Sequence, residues 1–371
     1  MIKLLVSQSD FLRGLNSVAT ALPPRTSLPS LTNILLEAEK DSLHLAATDL
    51  DTTVTTSIPA TVTTAGAIAL PGKKLHDIVK ELPDEDVHLS GTGNRITISC
   101  ASSSFVLSGT SKDSFPTLPG TGDTSVVSLP RERLAEAIRR TSYAVAMDDY
   151  RPALNGALWK LGPGGLEVVA TDGHRLARIH AKDAKSDTEF EAIVAPKALN
   201  LLARLAGGDD VGIRFQGTQI SFEYDHSVIY SRTIEGPYPP YEKVIPRDND
   251  KILKLDRETL IAALRRMMII ANPATHQVRL SLEPGNVVIY AQNTDAGEAK
   301  EELAAEYSSE PLHIGFNGSF FLETLRNMAT DDVIIRLKSG TTAAVLENAE
   351  PDASTDYLAL LMPVKLPGTE V

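Results

Sequence analysis

The sequence has 371 residues, of which 42% are hydrophobic and 23% charged, and its formal net charge at pH 7 is −12. The composition is ordinary for a soluble globular chain, and the length predicts two or three domains. Because no run approaches the ~20 apolar residues of a membrane span, no secretory signal is visible at the N-terminus, and the single cysteine excludes an internal disulfide, we expect a cytoplasmic protein without a membrane partner.

Six helical segments are predicted along the chain, separated by runs that are typical of strands. They cover residues 7–22, 72–82, 130–147, 196–206, 256–271 and 317–329. The second has the clearest amphipathic pattern, because its apolar residues recur at i, i+3, i+4 and i+7 and so share one face. These residues are Leu75, Ile78, Val79 and Leu82.

Residues that suit a first helical turn mark four of the helix starts. Pro130 and Pro196 are expected at the first helical position, where a missing N–H costs nothing. Asp256 and Asn317 precede the fifth and sixth helices, and we expect their side-chain oxygens to cap them.

The strand pattern is antiparallel. Apolar and polar residues alternate over 95–108, 210–234 and 332–348, and the first of these runs contains Cys100, which we expect to be a buried small hydrophobe. Hairpin turns are predicted at 92–94, 216–218 and 338–340, and GPGG at 162–165 is also interpreted as a turn. Antiparallel strands with few helices predict the α+β class.

Three related strings divide the chain into three copies of one unit. LHLAATDLD covers 43–51, LEVVATDGH covers 166–174 and VVIYAQNTD covers 287–295, and each repeat also contains a strand that runs into a helix near Pro71, Pro196 or Asn317. A period of about 120 residues is longer than a solenoid repeat and indicates a duplicated domain. The predicted domains are 1–122, 123–247 and 248–371, each with two helices backed by antiparallel sheets.

Charge is distributed unevenly. The six predicted helices contain fourteen basic and eight acidic residues, a net charge of +6, so the rest of the chain carries −18. If the helices line one surface, that surface attracts phosphates although the whole protein is acidic. The alternative is that these residues form ordinary solvated helix faces.

The string ATDGHRLA at 170–177 allows two interpretations. Asp172 could orient His174 as a general base, which would make the protein a hydrolase with its site in an interdomain cleft. However, no nucleophile is placed beside the pair, and Asp-Gly after a strand is a turn signal. A turn that presents polar side chains at a surface groove is therefore the main interpretation.

Cofactor and metal sites are not predicted. The eight histidines are scattered without ligand spacing on a helix, and GPGG lacks the form of a phosphate-binding P-loop. We expect no catalytic residue, no metal and no cofactor.

Several motifs together resemble the bacterial sliding clamps, the beta subunits of DNA polymerase III. They are ATDGHRLA, LNG at 154–156, YPPYEKVIP at 238–246, GFNGSFFLETL at 315–325 and YLALLMPVKL at 357–366. The resemblance extends essentially from end to end. It implies three clamp domains per chain and a head-to-tail homodimer that forms a ring of six domains. Twelve helices at ~10 Å spacing would leave a hole of roughly 25–30 Å, enough for a duplex.

The resemblance implies a non-catalytic processivity factor that encircles duplex DNA and slides without reading sequence. Its implied partners are double-stranded DNA, a second copy of itself, the alpha subunit of DNA polymerase III, the clamp loader and other proteins that carry a clamp-binding motif. The expected DNA-contacting residues are Arg25, Lys73, Lys74, Arg139, Arg140, Arg151, Lys197, Arg265 and Arg266.

The resemblance also implies a groove between the second and third units for a short partner peptide, with apolar walls and a few polar groups. The residues carried over are Leu154, Thr171, Gly173, His174, Arg175, Leu176, Pro239, Lys243, Val244, Asn317, Phe320, Met362, Pro363, Val364, Lys365 and Leu366.

For the dimer interface we expect an apolar strand edge in the first unit and an apolar run in the third. The residues are Phe105, Val106, Leu107, Ile269 and Ile270. Glu298, Glu301 and Glu302 are expected to face Lys74 and Arg95 of the neighbouring copy.

Beside the hydrolase, a clamp-like protein specialised away from replication remains an alternative.

Overall fold

The computed structural model describes residues 1–120, 122, 125–147, 150–204 and 210–366. The chain forms two compact units, each made of two segments. One unit is Met1–Arg131 with Gly207–Thr233, and the other is Glu132–Ala206 with Ile234–Val371. We refer to them as unit 1 and unit 2.

The same order of elements occurs in each repeat: a strand, a helix, a group of strands, a second helix and three more strands. The first repeat contains β1 Ile2–Ser7, α1 Gln8–Ala19, β2 Asn33–Glu39, β3 Ser42–Thr48, β4 Thr52–Pro59, β5 Thr61–Thr64, β6 Gly66–Pro71, α2 Gly72–Glu81, β7 Asp86–Thr92, β8 Arg95–Cys100 and β9 Ser103–Ser108. The second contains β10 Val127–Leu129, α3 Arg131–Thr141, β11 Ala157–Gly162, β12 Gly165–Thr171, β13 Arg175–Ala181, β14 Phe190–Val194, α4 Pro196–Leu202, β15 Val211–Gln216, β16 Gln219–Tyr224 and β17 Ser227–Arg232. The third contains β18 Lys251–Asp256, α5 Arg257–Ile270, β19 Gln277–Glu283, β20 Asn286–Asn293, β21 Gly297–Ala304, β22 Leu312–Asn317, α6 Gly318–Arg326, β23 Asp332–Leu337, β24 Ala344–Asn348 and β25 Thr355–Leu361. The three repeated strings fall on the corresponding strands β3, β12 and β20, which confirms the threefold repeat.

The six predicted helices are present, with shorter ends. Asp256 accepts a hydrogen bond from the Thr259 N–H, and Asn317 accepts from two N–H groups of α6, so both predicted caps are confirmed. Pro196 begins α4 as predicted, whereas Pro130 stands one residue before α3, where its lack of an N–H is equally harmless. The third helix was predicted to reach 147 but ends at 141 and continues as a 3-10 turn over Ser142–Ala144. The predicted end of the fourth helix, at 205–206, lies outside the described residues.

The predicted turns are mostly tight. Gly93 and Asn94 connect β7 to β8, Gly217 and Thr218 connect β15 to β16, and a two-residue turn within GPGG connects β11 to β12. The turn predicted at 338–340 is part of a longer connection between β23 and β24.

The strands of the described residues form four antiparallel sheets, and two of these sheets combine strands from different repeats. Unit 1 has a five-stranded sheet, β5-β1-β7-β8-β9, and an eight-stranded sheet, β10-β15-β16-β17-β4-β3-β2-β6. Unit 2 has an eight-stranded sheet, β14-β11-β12-β13-β25-β24-β23-β18, and a four-stranded sheet, β21-β20-β19-β22. Because backbone hydrogen bonds continue across the repeat boundary, the compact units do not coincide with the repeats.

Each eight-stranded sheet contains one strand pair that joins two repeats. In unit 1, β17 pairs with β4 from Ser227 opposite Thr56 to Ser231 opposite Thr52. In unit 2, β13 pairs with β25 from Arg175 opposite Leu361 to Ala181 opposite Thr355. We call these pairs the first and the second junction.

Apolar helix faces pack against the sheets. In unit 1, Phe11, Leu15 and Val18 of α1 are fully buried, as are Leu75 and Val79 of α2. Burying such side chains contributes about 1.5–3 kcal/mol each. Cys100 is a buried free thiol, as predicted. Within the described chain, no helix has the length and apolar character that crossing a membrane requires.

Candidate functional site

The turn between β12 and β13 is built by the side chains of Thr171 and Asp172. Asp172 Oδ1 accepts from the backbone N–H of His174 at 2.8 Å and of Arg175 at 2.9 Å, and Thr171 Oγ1 accepts from Gly173 N–H at 3.1 Å. Gly173 has a φ of +86°, which glycine adopts without strain. The sequence folds here as predicted for an Asp-Gly turn.

The carboxylate of Asp172 holds an arginine rather than the histidine ring. Its Oδ2 accepts from Nε of Arg175 at 3.0 Å, and Glu323 of α6 forms an ion pair with the same guanidinium. The guanidinium also lies 5.3 Å from the Tyr143 ring centroid and 4.4 Å from that of Phe320. Arg175 is thus a buried cation with two carboxylates and two aromatic rings, and Asp172 is engaged in structure instead of acid–base chemistry.

A cavity of about 320 Å³ opens beside this turn, within unit 2. Apolar and backbone surfaces dominate its wall, as expected for a site that takes a peptide side chain. Nine of the predicted groove residues line it: Leu154, Thr171, Gly173, Arg175, Leu176, Pro239, Lys243, Val244 and Met362.

Four further lining residues were not predicted for the groove: Arg151, Pro240, Tyr241 and Leu360. Arg151 was assigned to DNA, but here it donates a hydrogen bond of 2.6 Å to the Asp172 carbonyl. A Cβ at position 173 would clash with Arg151 Nη1, so the Arg151 side chain would have to shift to admit one. The YPPY string next to the predicted Pro239 was the available signal for Tyr241.

Tyr241 is a fixed part of the cavity wall, with only 4% of its surface exposed. Its hydroxyl donates to Glu167, and Lys160 Nζ lies 3.2 Å from that hydroxyl and 4.9 Å from the ring centroid. Burial, and then the hydrogen bond with Glu167, raise the pKa of Tyr241 well above its ordinary value. The phenol therefore stays neutral and serves as a structural wall.

The remaining predicted groove residues lie near the turn without lining this cavity. The His174 and Phe320 rings stack at 6.2 Å between centroids, and the His174 carbonyl accepts from Met362 N–H at 2.9 Å. Asn317 caps the helix that carries Phe320.

The terminal segment continues along the edge strand β22. Val364 N–H donates to the Gly315 carbonyl at 2.9 Å, and Gln277 Nε2 donates to the Lys365 carbonyl at 3.0 Å. Gly315 has no side chain at the point where Leu366 packs closely. The structure therefore brings Pro363–Leu366 next to Asn317 and Phe320; the tail 367–371 lies outside the described residues.

The predicted DNA-contacting residues differ in exposure. Arg25, Lys73, Lys74, Arg139 and Arg265 are exposed, and Lys197 is half-buried. Arg266 is exposed but forms a bidentate ion pair with Glu301, with Nε at 2.8 Å from Oε2.

Arg140 is the clear error among these predictions. It is 8% exposed, it pairs with Glu136 at 2.8 Å, and its guanidinium lies 5.4 Å from the centroid of the Tyr357 ring. A phosphate cannot reach this buried group, so Arg140 stabilises the protein interior. Glu136 at i−4 was a sequence signal for this pairing.

The residues predicted for the dimer interface lie on an edge strand and at the end of a helix. β9 is the last strand of the five-stranded sheet, and Val106 is 56% exposed. Ile269, at the end of α5, is 79% exposed. In the third repeat, Glu301 forms an ion pair with Arg266, and Glu298 accepts a hydrogen bond of 2.7 Å from the Tyr290 hydroxyl. These carboxylates therefore already have partners within the chain.

Metal-binding clusters were not predicted, and the described residues contain no group of three or more His, Cys, Asp or Glu side chains that could hold a metal ion.

Family models for the DNA polymerase III beta subunit match in order along the chain. The N-terminal domain matches residues 2–119, the central domain 128–240 and the C-terminal domain 242–365. The chain belongs to the DNA polymerase III beta subunit family. It therefore consists of three clamp domains, whereas the boundaries predicted after 122 and 247 stay predictions.

Individual relatives agree with this assignment. A beta sliding clamp of Synechococcus elongatus is 36% identical over 98% of this chain and 100% of its own length. A beta sliding clamp of Pseudomonas aeruginosa is 33% identical over 97% of this chain and 99% of its own length. A crystal structure of the DNA polymerase sliding clamp from Pseudomonas aeruginosa superimposes with a TM-score of 0.93 at 32% identity, and the match covers 99% of this chain and 100% of that one. The DNA polymerase sliding clamp from Bacillus subtilis superimposes with a TM-score of 0.93 at 25% identity, and the match covers 98% of this chain and 99% of that one.

The family fixes the class of function. Its members are sliding clamps, which act as processivity factors and are not catalytic, so the protein is a sliding clamp and the hydrolase alternative has no support.

Proposed function

We propose that two copies of this chain pair head to tail into a ring that encloses duplex DNA and carries partner proteins along it. One observation carries the proposal. The first and second junctions join β17 to β4 and β25 to β13, whereas the corresponding strands β9 and β21 each end a sheet, with no further strand beside them among the described residues. A free edge is a template for pairing with another chain.

The two existing junctions suggest the register of the third. Leu45 and Ile289 are corresponding positions of the repeated strings, and they lie opposite Thr56 of β4 and Glu301 of β21, so Thr56 corresponds to Glu301. Ser227 of β17 corresponds to Ser103 of β9, since each begins the last strand of its repeat. Since Ser227 lies opposite Thr56, we expect Ser103 of one copy opposite Glu301 of its neighbour. Phe105, Val106, Leu107, Ile269 and Ile270 would supply apolar contact there. Two such junctions close a ring of six domains.

DNA attraction is proposed to come from the exposed basic residues of the helices. Lys73, Lys74, Arg139 and Arg265 are exposed, and such residues release counterions from phosphates regardless of base sequence. Arg139 and Arg140 offer a matched pair for a test. Arg139→Glu is expected to weaken retention on DNA and reduce its salt dependence without a change in folding. Arg140→Glu is expected to destabilise the protein, because it places two carboxylates together in a buried site.

The cavity in unit 2 is proposed as the docking site for a short peptide of the polymerase alpha subunit, the clamp loader and other partners. Support comes from its apolar wall, its few oriented polar groups and its agreement with nine residues predicted by resemblance. A labelled peptide of the form QLxLF is the probe for this part of the proposal.

Topology distinguishes a ring from ordinary DNA binding. The protein is loaded with a bacterial clamp loader onto nicked circular DNA, which is then linearised by a restriction enzyme. A ring stays on circular DNA in moderate salt and slides off the linear ends. Equal retention on both forms would overturn the proposal, because open binding does not depend on DNA ends.

A further inference from the structure

A second cavity, of about 330 Å³, lies in unit 2 next to the groove. Its apolar surface comes from Ile245 and Leu358, and its rim carries Arg247. The proposed peptide groove includes none of these three residues.

Most of the charged groups around the second cavity already have a partner of opposite charge. Arg178 Nε donates to Glu167 Oε2 at 2.6 Å, and Glu242 lies 3.6 Å from Lys160 Nζ, so these charges are paired. Arg247 is exposed, and no carboxylate among the described residues pairs with it. The cavity therefore offers an unpaired cation beside an apolar surface, which suits a carboxylate next to an aliphatic side chain.

The two cavities are continuous along one segment of chain. Tyr241 lines both, and the neighbours Val244 and Ile245 line the groove and the second cavity respectively. The hydrogen bond with Glu167 and the contact with Lys160 hold Tyr241 in place between them. A peptide chain that leaves the groove past Tyr241 therefore meets the second cavity within a few residues.

We propose that this second cavity binds the segment of a partner protein that flanks its groove-bound peptide. An aliphatic side chain packs on Ile245 and Leu358, and an Asp or Glu pairs with Arg247. The inference rests on the proposed peptide groove and adds a preference for acidic flanking sequence. An exposed ion pair with some apolar burial is expected to tighten binding about threefold to tenfold.

The test uses three labelled peptides in anisotropy titrations. One is the short groove peptide, and two carry a Gly-Ser spacer followed by Leu-Glu at either the N- or the C-terminal end. One extended peptide is expected to bind the wild-type protein about threefold to tenfold more tightly than the short peptide. Arg247→Glu should remove that gain and leave the affinity for the short peptide unchanged, and replacing Glu by Lys in the extension should restore the gain in this variant.

Arg326→Glu is the matched control, since Arg326 is an exposed arginine that lines neither cavity. It should retain the full gain. If neither extension tightens binding, or if the gain survives Arg247→Glu, the inference is wrong while the groove stands. If the short peptide itself fails to bind, the groove proposal falls, and this inference falls with it.

Discussion

The turns beside the first and second junctions have the same backbone and different side chains. In unit 1, Asp49 Oδ1 accepts from the N–H groups of Asp51 and Thr52, and Leu50 has a φ of +84°. In unit 2, Asp172 makes the same two bonds, and Gly173 has a φ of +86°. The strand that joins from the other repeat also ends in the same way at both turns. In unit 1 the Arg232 N–H donates to the Asp51 carbonyl, and in unit 2 the Met362 N–H donates to the His174 carbonyl.

The difference lies at three consecutive positions. Leu50, Asp51 and Thr52 stand where the second turn has Gly173, His174 and Arg175. Leu50 keeps a strained backbone and a half-exposed side chain, whereas Gly173 leaves room for Arg151 at the cavity wall. Duplication thus supplied one scaffold twice, and side-chain replacement determined which copy lines the cavity.

Removing the end of the chain should have the largest effect. A protein that stops after Leu361 lacks Met362, which lines the cavity, and the segment that bonds along β22. We expect loss of QLxLF peptide binding by more than about 100-fold, since apolar anchors dominate such sites. Anisotropy titration measures the loss, and a thermal melt checks that the fold persists.

The matched control removes only residues 367–371 and is expected to bind the peptide within about twofold of the full chain. If the longer truncation also binds normally, the partner site lies elsewhere.

Exchanging the turn residues tests the comparison itself. Gly173→Leu copies unit 1, and its side chain would meet Arg151 at the cavity wall. We expect about tenfold to thirtyfold weaker peptide binding and a loss of about 1–2 kcal/mol in the free energy of unfolding, because the φ of +86° disfavours a side chain. Titration and urea denaturation give the two quantities.

The reciprocal change, Leu50→Gly, relieves the strained φ and should leave peptide binding unchanged. If Gly173→Leu binds as well as wild type, the difference between the turns does not explain the groove.

His174→Ala should have a smaller effect. The imidazole stacks on Phe320 at 6.2 Å and is exposed, so its loss removes a contact at the groove edge and no buried anchor. We expect about threefold weaker peptide binding. Asp51→Ala at the corresponding position of unit 1 is the control and should not change affinity; a reduction of more than about 50-fold for His174→Ala would make the histidine an anchor.

The smallest expected effect concerns the loop that leads into β25. Asp352 accepts from Ser354 N–H at 2.8 Å and from the Thr355 hydroxyl at 2.9 Å, and these bonds lower its pKa to about 2. Asp has a pKa of about 3.9 in the unfolded chain, so the lowered pKa stabilises the fold at pH values above about 3.9. This contribution is lost as the pH falls through about 2.

Asp352→Asn should therefore cost about 0.5–1 kcal/mol at pH 7, a range that allows for solvent screening of this exposed carboxylate. The difference from wild type should shrink between pH 4 and pH 2, as measured by urea denaturation. A constant difference over that range would show that the carboxylate charge is not involved.

Local signals in the sequence predicted much of the fold. The caps Asp256 and Asn317 and the turn at Asp172 depend on residues within a few positions, and the threefold repeat is visible as three related short strings; the structure confirms all of them. The pairing of β13 with β25 joins residues about 180 positions apart in sequence, and no local pattern specifies such a pair.

The site was predicted less completely, for identifiable reasons. Arg139 and Arg140 look alike in sequence, but they point about 100° apart on a helix, and Arg140 faces the interior with Glu136 and Tyr357. Tyr241 was missed because its role depends on Glu167 and Lys160 from two other strands.

Covalent closure of the third junction tests the central claim most directly. Ser103→Cys and Glu301→Cys are combined in one chain that also carries Cys100→Ala, because the native thiol lies opposite position 103 in the β8–β9 hairpin. The protein is loaded on nicked circular DNA, and the disulfides are formed by mild oxidation. The account predicts a closed dimer that stays with circular DNA in SDS and is released when the DNA is linearised, whereas Ser103→Cys alone is stripped off by SDS. Absence of a cross-linked dimer, or its removal from intact circles by SDS, would contradict a ring closed by β9 and β21.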